Sequence, residues 1–238
     1  MQHGLTSTGH RWLTANAVVA WLGLGLSLTL NAIDFYPPTA GALPSRYGTA
    51  NPAGAAGVLS RLADWISYFT TLSNVVAAVV ATALASGRAR DTAIWRGLRL
   101  SALLCVTITA IVYAVMLSGS STQRGIDNLA NSLIHQVTPA LTVLVWLVAG
   151  PRGWVGWRAI PAAFVVPLGW IAWMLGRGAI VGAYPYPFVD VVQLGYPQVA
   201  LNVGGILGLA LVLAVVFVII EQLVRRRRRP AAPPPVTR

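Results

Sequence analysis

The chain has 238 residues, 56% of them hydrophobic and only 10% charged, well below the roughly 25% charged residues of a soluble domain. That balance excludes a water-soluble globular fold, and the net charge of +11 points to loops that flank a bilayer instead of to nucleic acid. The single cysteine, Cys105, excludes both a disulfide framework and a cysteine-based metal site.

Six long windows carry no Asp, Glu or Arg, each near the ~20 apolar residues a helix needs to cross a bilayer. The first predicted span, 12–33, follows Arg11. Its apolar stretch is too long for the core of a cleaved secretory signal, and five further spans follow, so it reads as an uncleaved signal anchor. The next loop, 34–64, is the longest. It is rich in Pro, Gly and Ala, with Tyr36-Pro37-Pro38 and Asn51-Pro52, and is predicted to be irregular and to fold back over the bundle.

The remaining spans are predicted at 65–86, 99–118, 129–149, 159–176 and 199–220. Between the last two lies Tyr184-Pro185-Tyr186-Pro187-Phe188-Val189-Asp190, where alternating prolines impose an extended or turn conformation. Trp12, Trp65, Trp95, Trp154 and Trp157 fall near window ends, as an interfacial belt requires. After the sixth span comes a basic, Pro-rich tail, 225–238, expected to be disordered. Its run from Arg225 through Arg229 stops transfer and attracts anionic lipid headgroups at about 1 kcal/mol per Arg.

The arginines alternate by loop. Thirteen (Arg11; Arg88, Arg90, Arg96, Arg99; Arg152, Arg158; the five from Arg225 through Arg229; Arg238) fall on one side, and four (Arg46, Arg61, Arg124, Arg177) on the other. The positive-inside rule then places both termini in the cytoplasm of a plasma-membrane protein with three outer loops. Every basic residue is Arg and none is Lys, a usage expected of a GC-rich bacterial genome. With about 20 residues per helix and short loops, residues 1–224 are predicted to form one all-α, polytopic six-helix transmembrane bundle with no separate soluble domain.

Polar side chains inside a bilayer need partners, and they gather in two windows. The second opens with Tyr68-Phe69-Thr70-Thr71-Leu72-Ser73-Asn74, where helical spacing puts Thr70, Ser73 and Asn74 on one face. The fourth contains Asn131 and, four residues on, His135, the only histidine in any span, followed by Pro139, which favours a kink. Counted along a helix at ~1.5 Å per residue, Thr70 lies about 9 Å past Asp64 and His135 about 12 Å past Asp127. Both are therefore predicted near the outer leaflet and within reach of each other.

A neutral imidazole beside a hydroxyl is the minimum for acyl transfer: His takes the proton as Thr attacks, then returns it to the leaving group. Asn74, Asn131 or Ser73 are candidates to stabilise the oxyanion, and Asp190 is a candidate to orient the imidazole. The same residues also suit plain interhelical hydrogen bonding, at about 0.6 to 2 kcal/mol each.

At these positions the sequence resembles the androgen-induced-protein family of multi-span membrane proteins, whose animal members are threonine hydrolases of fatty-acid esters of hydroxy fatty acids. Tyr68-Phe69-Thr70, Asn131-x-x-x-His135 with Pro139, and Tyr186-Pro187-Phe188 followed by Asp190 carry the likeness. It spans about the middle two-thirds of the chain. The resemblance implies a nucleophile at Thr70, an essential base at His135 and a supporting role for Tyr186. Thr71 adjoins Thr70 and leaves the register open by one residue.

The expected function is hydrolysis of a fatty-acyl lipid ester by a Thr70/His135 dyad, with membrane lipids or a fatty-acyl substrate as partners and no metal or organic cofactor implied. The alternatives are a non-enzymatic lipid-binding or scaffold protein and, third, a small-molecule transporter. Against the transporter stand the absence of a visible internal repeat, of a charge deep in any window, and of polar lining in the inner halves.

Overall fold

A computed structural model describes residues 6–36, 43–117 and 125–227. Pro37, Pro38, Arg124, the end of the third predicted span at 118, and the tail from 228 onward lie outside the described residues. The fold is all-α: α1 Ser7–Ala32, α2 Val58–Ser67, α3 Phe69–Ala85, α4 Ala93–Val112, α5 Ile126–Ser132, α6 Thr138–Ala149, α7 Ile160–Val181 and α8 Val191–Arg227. Five helices are long and apolar enough to cross a membrane, or six if the bent pair α2–α3 counts as one span.

α4 is the hub. Its residues from Leu100 to Val106 are buried without a break, so the helix is apolar on every side and packs against α3, α6, α7 and α8. Cys105 sits in this stretch, fully buried beside Ser101, as a small packing residue. α1 closes the other side against α3 and α6. One core cluster joins Leu100, Leu104, Trp146, Ala163 and Phe217; a second, around Met174, Tyr184, Tyr186 and Val199, lies toward the opposite end.

The second predicted span needs correction, because the helix begins at Phe69 and not at Trp65. Tyr68 is extended (φ −72°, ψ 136°) and turns α2 about 70° away from α3. Two indoles from α7 hold the break: Trp170 Nε1 donates to the Ser67 carbonyl (2.9 Å) and Trp173 Nε1 to Ser67 Oγ (3.0 Å). Freed backbone groups at an interruption need such partners in an apolar medium. The 34–64 loop is also less irregular than predicted, since it is helical from Gly54 onward, in a short 3-10 turn and then α2. That helix turns Leu59 (82% exposed) and Ile66 outward and buries Arg61 and Asp64, an inside-out pattern that suits lipid surroundings.

The loop does fold back. Tyr47 N–H donates to the Tyr184 carbonyl, Tyr184 N–H to the Ser45 carbonyl, and Arg177 joins Asp64 at 2.6 Å while lying over the Tyr47 ring. Tyr184 is pressed so closely on α7 that a Cβ at Gly178 would stand 2.1 Å from its ring, and only glycine fits there. The fifth predicted span, α7, runs on to Val181, past the expected end at 176, because Arg177 is paired. In α8, Gly195 (φ 73°, ψ 160°) interrupts the helix, so the long apolar segment starts after it with Pro197 near its beginning. α8 continues through Arg227.

The tryptophans divide. Trp12 and Trp157 are about half exposed, whereas Trp95 and Trp154 pack against the core and Trp65 donates to Ser27 Oγ.

Candidate active site

Thr70 is the second residue of α3, buried, in the turn just after the Tyr68 break. First-turn N–H groups have no partner within their own helix. The Thr70 N–H instead donates to the Tyr186 hydroxyl at 3.3 Å. Across from it, α5 gives way at Leu133–Val137 to a π-helical turn before α6 resumes. This widened turn, just ahead of Pro139, carries His135 toward α3. Such π-turns recur at functional sites.

Thr70 Oγ1 lies 3.2 Å from His135 Nε2, and His135 Nδ1 lies 3.2 Å from the Asn131 carbonyl. A carbonyl oxygen only accepts, so Nδ1 carries the proton and Nε2 is left to accept from the Thr70 hydroxyl. Tyr186 Oη is 3.3 Å from Thr70 Oγ1. With Thr70 donating to His135, the phenol donates to Thr70, giving a directed chain Tyr186 → Thr70 → His135 → Asn131. The imidazole also stacks on the Tyr113 ring (centroids 4.3 Å apart, 21° between planes). Tyr186 is braced by the parallel Phe188 ring and the edge of Tyr68. Burial, opposed by its bonds to Thr70, raises the Tyr186 phenol above the ordinary tyrosine range, so it remains a proton donor.

The other predicted residues are placed differently. Asn74 Nδ2 donates to the Thr70 and Ile134 carbonyls (2.8 and 2.9 Å), the latter inside the π-turn. Ser73 Oγ donates to the Thr70 carbonyl and meets Thr109. Asn131 Nδ2 donates to Tyr113 Oη. Asn74 and Ser73 thus hold the backbone around the site and Asn131 the Tyr113 side chain, and none of them bonds to Thr70 Oγ1. Asp190 is the clearest departure: it accepts from Ser45 Oγ (2.7 Å) and from the N–H groups of Val192 and Gln193, and pairs with Arg46 at 3.5 Å. It caps the start of α8 and anchors the loop. The imidazole is oriented by a backbone carbonyl, and the group beside the hydroxyl is Tyr186. Thr71 is buried, and no bond joins it to His135.

A cavity of about 630 Å³ opens from Thr70 and Tyr186 between α4, α7 and α8, reaching Ile108, Pro167 and Ala210. Of its lining side chains, only Thr70, Thr109, Trp170 and Tyr186 carry a polar atom. That volume includes space open to the surroundings, and the lining is apolar apart from these few polar atoms, with the Thr70 and Tyr186 hydroxyls adjoining on its wall.

Tyr113 and Trp170 are site residues that the sequence reading passed over. Tyr113 was within reach of it, as the one tyrosine in the third charge-free window.

At the other end of the bundle, the sequence reading also missed a buried polar group. Glu221 and Arg99 are 0% and 3% exposed, and Asn16 and Thr142 lie buried between α1 and α6, hydrogen-bonded at 3.2 Å. The helix halves at this end, expected to be apolar, are thus not uniformly so.

No protein-family model, no curated protein and no solved structure matches this chain.

Proposed function

We propose that the chain is a membrane-embedded threonine hydrolase of fatty-acyl esters, belonging with the androgen-induced-protein family. The observation that carries this reading is the 3.2 Å approach of Thr70 Oγ1 to His135 Nε2, with Thr70 on the wall of an apolar cavity.

The acyl chain enters the cavity and brings the ester carbonyl to Thr70. The hydroxyl oxygen attacks the carbonyl carbon as its proton moves to Nε2, forming a tetrahedral oxyanion. Tyr186 O–H, in contact with Thr70 Oγ1 and with its own oxygen held by the Thr70 N–H, is the donor at hand for the developing charge. The intermediate collapses, the ester C–O bond breaks, and the imidazolium protonates the departing alcohol. Water then attacks the acyl-threonine with His135 again as base, releasing the carboxylic acid and restoring the hydroxyl.

The orientation belongs to the same proposal. The chain makes six crossings of the plasma membrane with both termini cytoplasmic and the dyad near the outer leaflet, where the arginine distribution supports it. The basic run beginning at Arg225 faces anionic headgroups.

A second reading, non-catalytic lipid binding, is favoured by the way Ser73, Asn74 and Asn131 spend their donors on packing. Hydrolysis of a panel of fatty-acyl esters by the purified full chain separates the two. The catalytic reading expects Thr70→Ala and His135→Ala each to lower kcat by about 10²–10⁴-fold, with Thr71→Ala close to wild type. Turnover absent in the wild type, or unchanged in both variants, leaves lipid binding.

A further inference from the structure

The buried polar group at the far end from the dyad has its own cavity, about 320 Å³, between α1, α3, α4 and α6. Arg99, Asn16, Thr142 and Trp146 supply its polar atoms, and side chains such as Leu13 and Val80 its apolar walls. Arg99 is 97% buried by its 3% exposure, and its Nε and Nη1 have no hydrogen-bond partner.

A guanidinium cannot shed its charge, and a buried charge without a partner is strongly unfavourable. The nearby carboxylate acts on it only at a distance. Glu221 accepts at Oε2 from Trp146 Nε1 (3.1 Å) and Arg152 Nη1 (3.3 Å), and at Oε1 from the Gly153 N–H. Glu221 is thus committed to other donors, and no ion pair is formed by Arg99 among the described residues. The C-terminus of α6 lies against the other side of the guanidinium, where a Cβ on Gly150 would stand 1.8 Å from Nη2. A helix end supplies about half a charge at most. Charged groups retained inside membrane helices mark binding sites more often than packing.

We propose that this cavity binds an oxyanion, a carboxylate or phosphate group, whose charge Arg99 neutralises while the Asn16 amide, held by the Thr142 hydroxyl that donates to its Oδ1, offers N–H donors. Its apolar walls favour an anion attached to a hydrocarbon group over a bare ion. The site is separate from the Thr70/His135 dyad and does not depend on the hydrolase reading.

The test uses the full chain with chloride as the only other anion, and reads the unfolding midpoint against three probes. These are inorganic phosphate and hexanoate in nonionic detergent, and phosphatidylglycerol in nanodiscs compared with phosphatidylcholine alone. A saturable rise with at least one probe is expected, together with a loss of at least tenfold in affinity for that probe in Arg99→Gln. Hexanoate or phosphate acting alone identifies a soluble ligand, and phosphatidylglycerol acting alone identifies a lipid headgroup. Should Arg99→Gln fail to fold, Thr142→Val keeps the charge, releases the Asn16 amide that Thr142 holds, and is expected to weaken binding several-fold. No saturable rise with any probe, or a rise unchanged in the variants, overturns the proposal. The unchanged rise would mean that the anion is drawn to the exposed arginines instead.

Discussion

An imidazole whose Nδ1 faces a backbone carbonyl holds its proton there, and its other nitrogen is then a base by default. Asn131 does this for His135 without a carboxylate, which keeps a second formal charge out of an apolar site. The arrangement places unusual weight on Tyr186, the polar side chain besides His135 in contact with Thr70 Oγ1. Tyr186→Phe preserves the ring stack on Phe188 and removes only the donor. It is expected to lower kcat by about 10–10³-fold with KM nearly constant, read from steady-state kinetics on the best ester. An equal fall in binding with kcat intact would assign Tyr186 to substrate contact instead.

At the scale of elements, the site is made by two interruptions, the break at Tyr68 and the π-turn at Leu133–Val137. Neither was legible. Tyr68 is not a Pro or Gly, and its extended backbone is imposed from outside by Trp170 and Trp173 on Ser67. Pro139 did signal a disturbance near His135, but not its form. The spacing that brought Thr70 and His135 together was readable because helical geometry and flanking charges set both positions. The oxyanion expectation for Asn74 failed for a physical reason: the π-turn frees the Ile134 carbonyl in an apolar setting, and the nearest amide is drawn to it. Asp190 failed likewise, because a carboxylate preceding α8 is better used on first-turn N–H groups and Arg46. The cavity between α4, α7 and α8 ends at Ala210, a buried small side chain. Ala210→Phe fills that end and is expected to shift preference toward shorter acyl chains. The kcat/KM for the longest good substrate should fall about 10-fold or more, and that for short esters should hold within a few-fold. A uniform loss across chain lengths would mean that the acyl group lies elsewhere.

For the molecule as a whole, composition and the charge-free windows made legible an all-α fold with helices long and apolar enough to cross a membrane, and the helices are where those windows put them to within about two turns. What they hid was Arg99 and Glu221, because windows bounded by charges leave out charges that helices carry into the bundle. The arginine asymmetry makes a testable statement about orientation. Cys105 is fully buried, so single cysteines introduced elsewhere report cleanly. In intact cells a membrane-impermeant maleimide should label Leu59→Cys on α2, and should reach Ser86→Cys in the α3–α4 loop only after permeabilisation; the reverse pattern would invert the proposed topology. The dyad itself is tested most directly by covalent capture. The full chain is treated with an alkyl fluorophosphonate, whose phosphorus is attacked by an activated hydroxyl with loss of fluoride, and the adduct is located by mass spectrometry. The account predicts modification at Thr70, absent in His135→Ala and retained in Thr71→Ala; an adduct on Thr71, or one that forms equally well without His135, would contradict it.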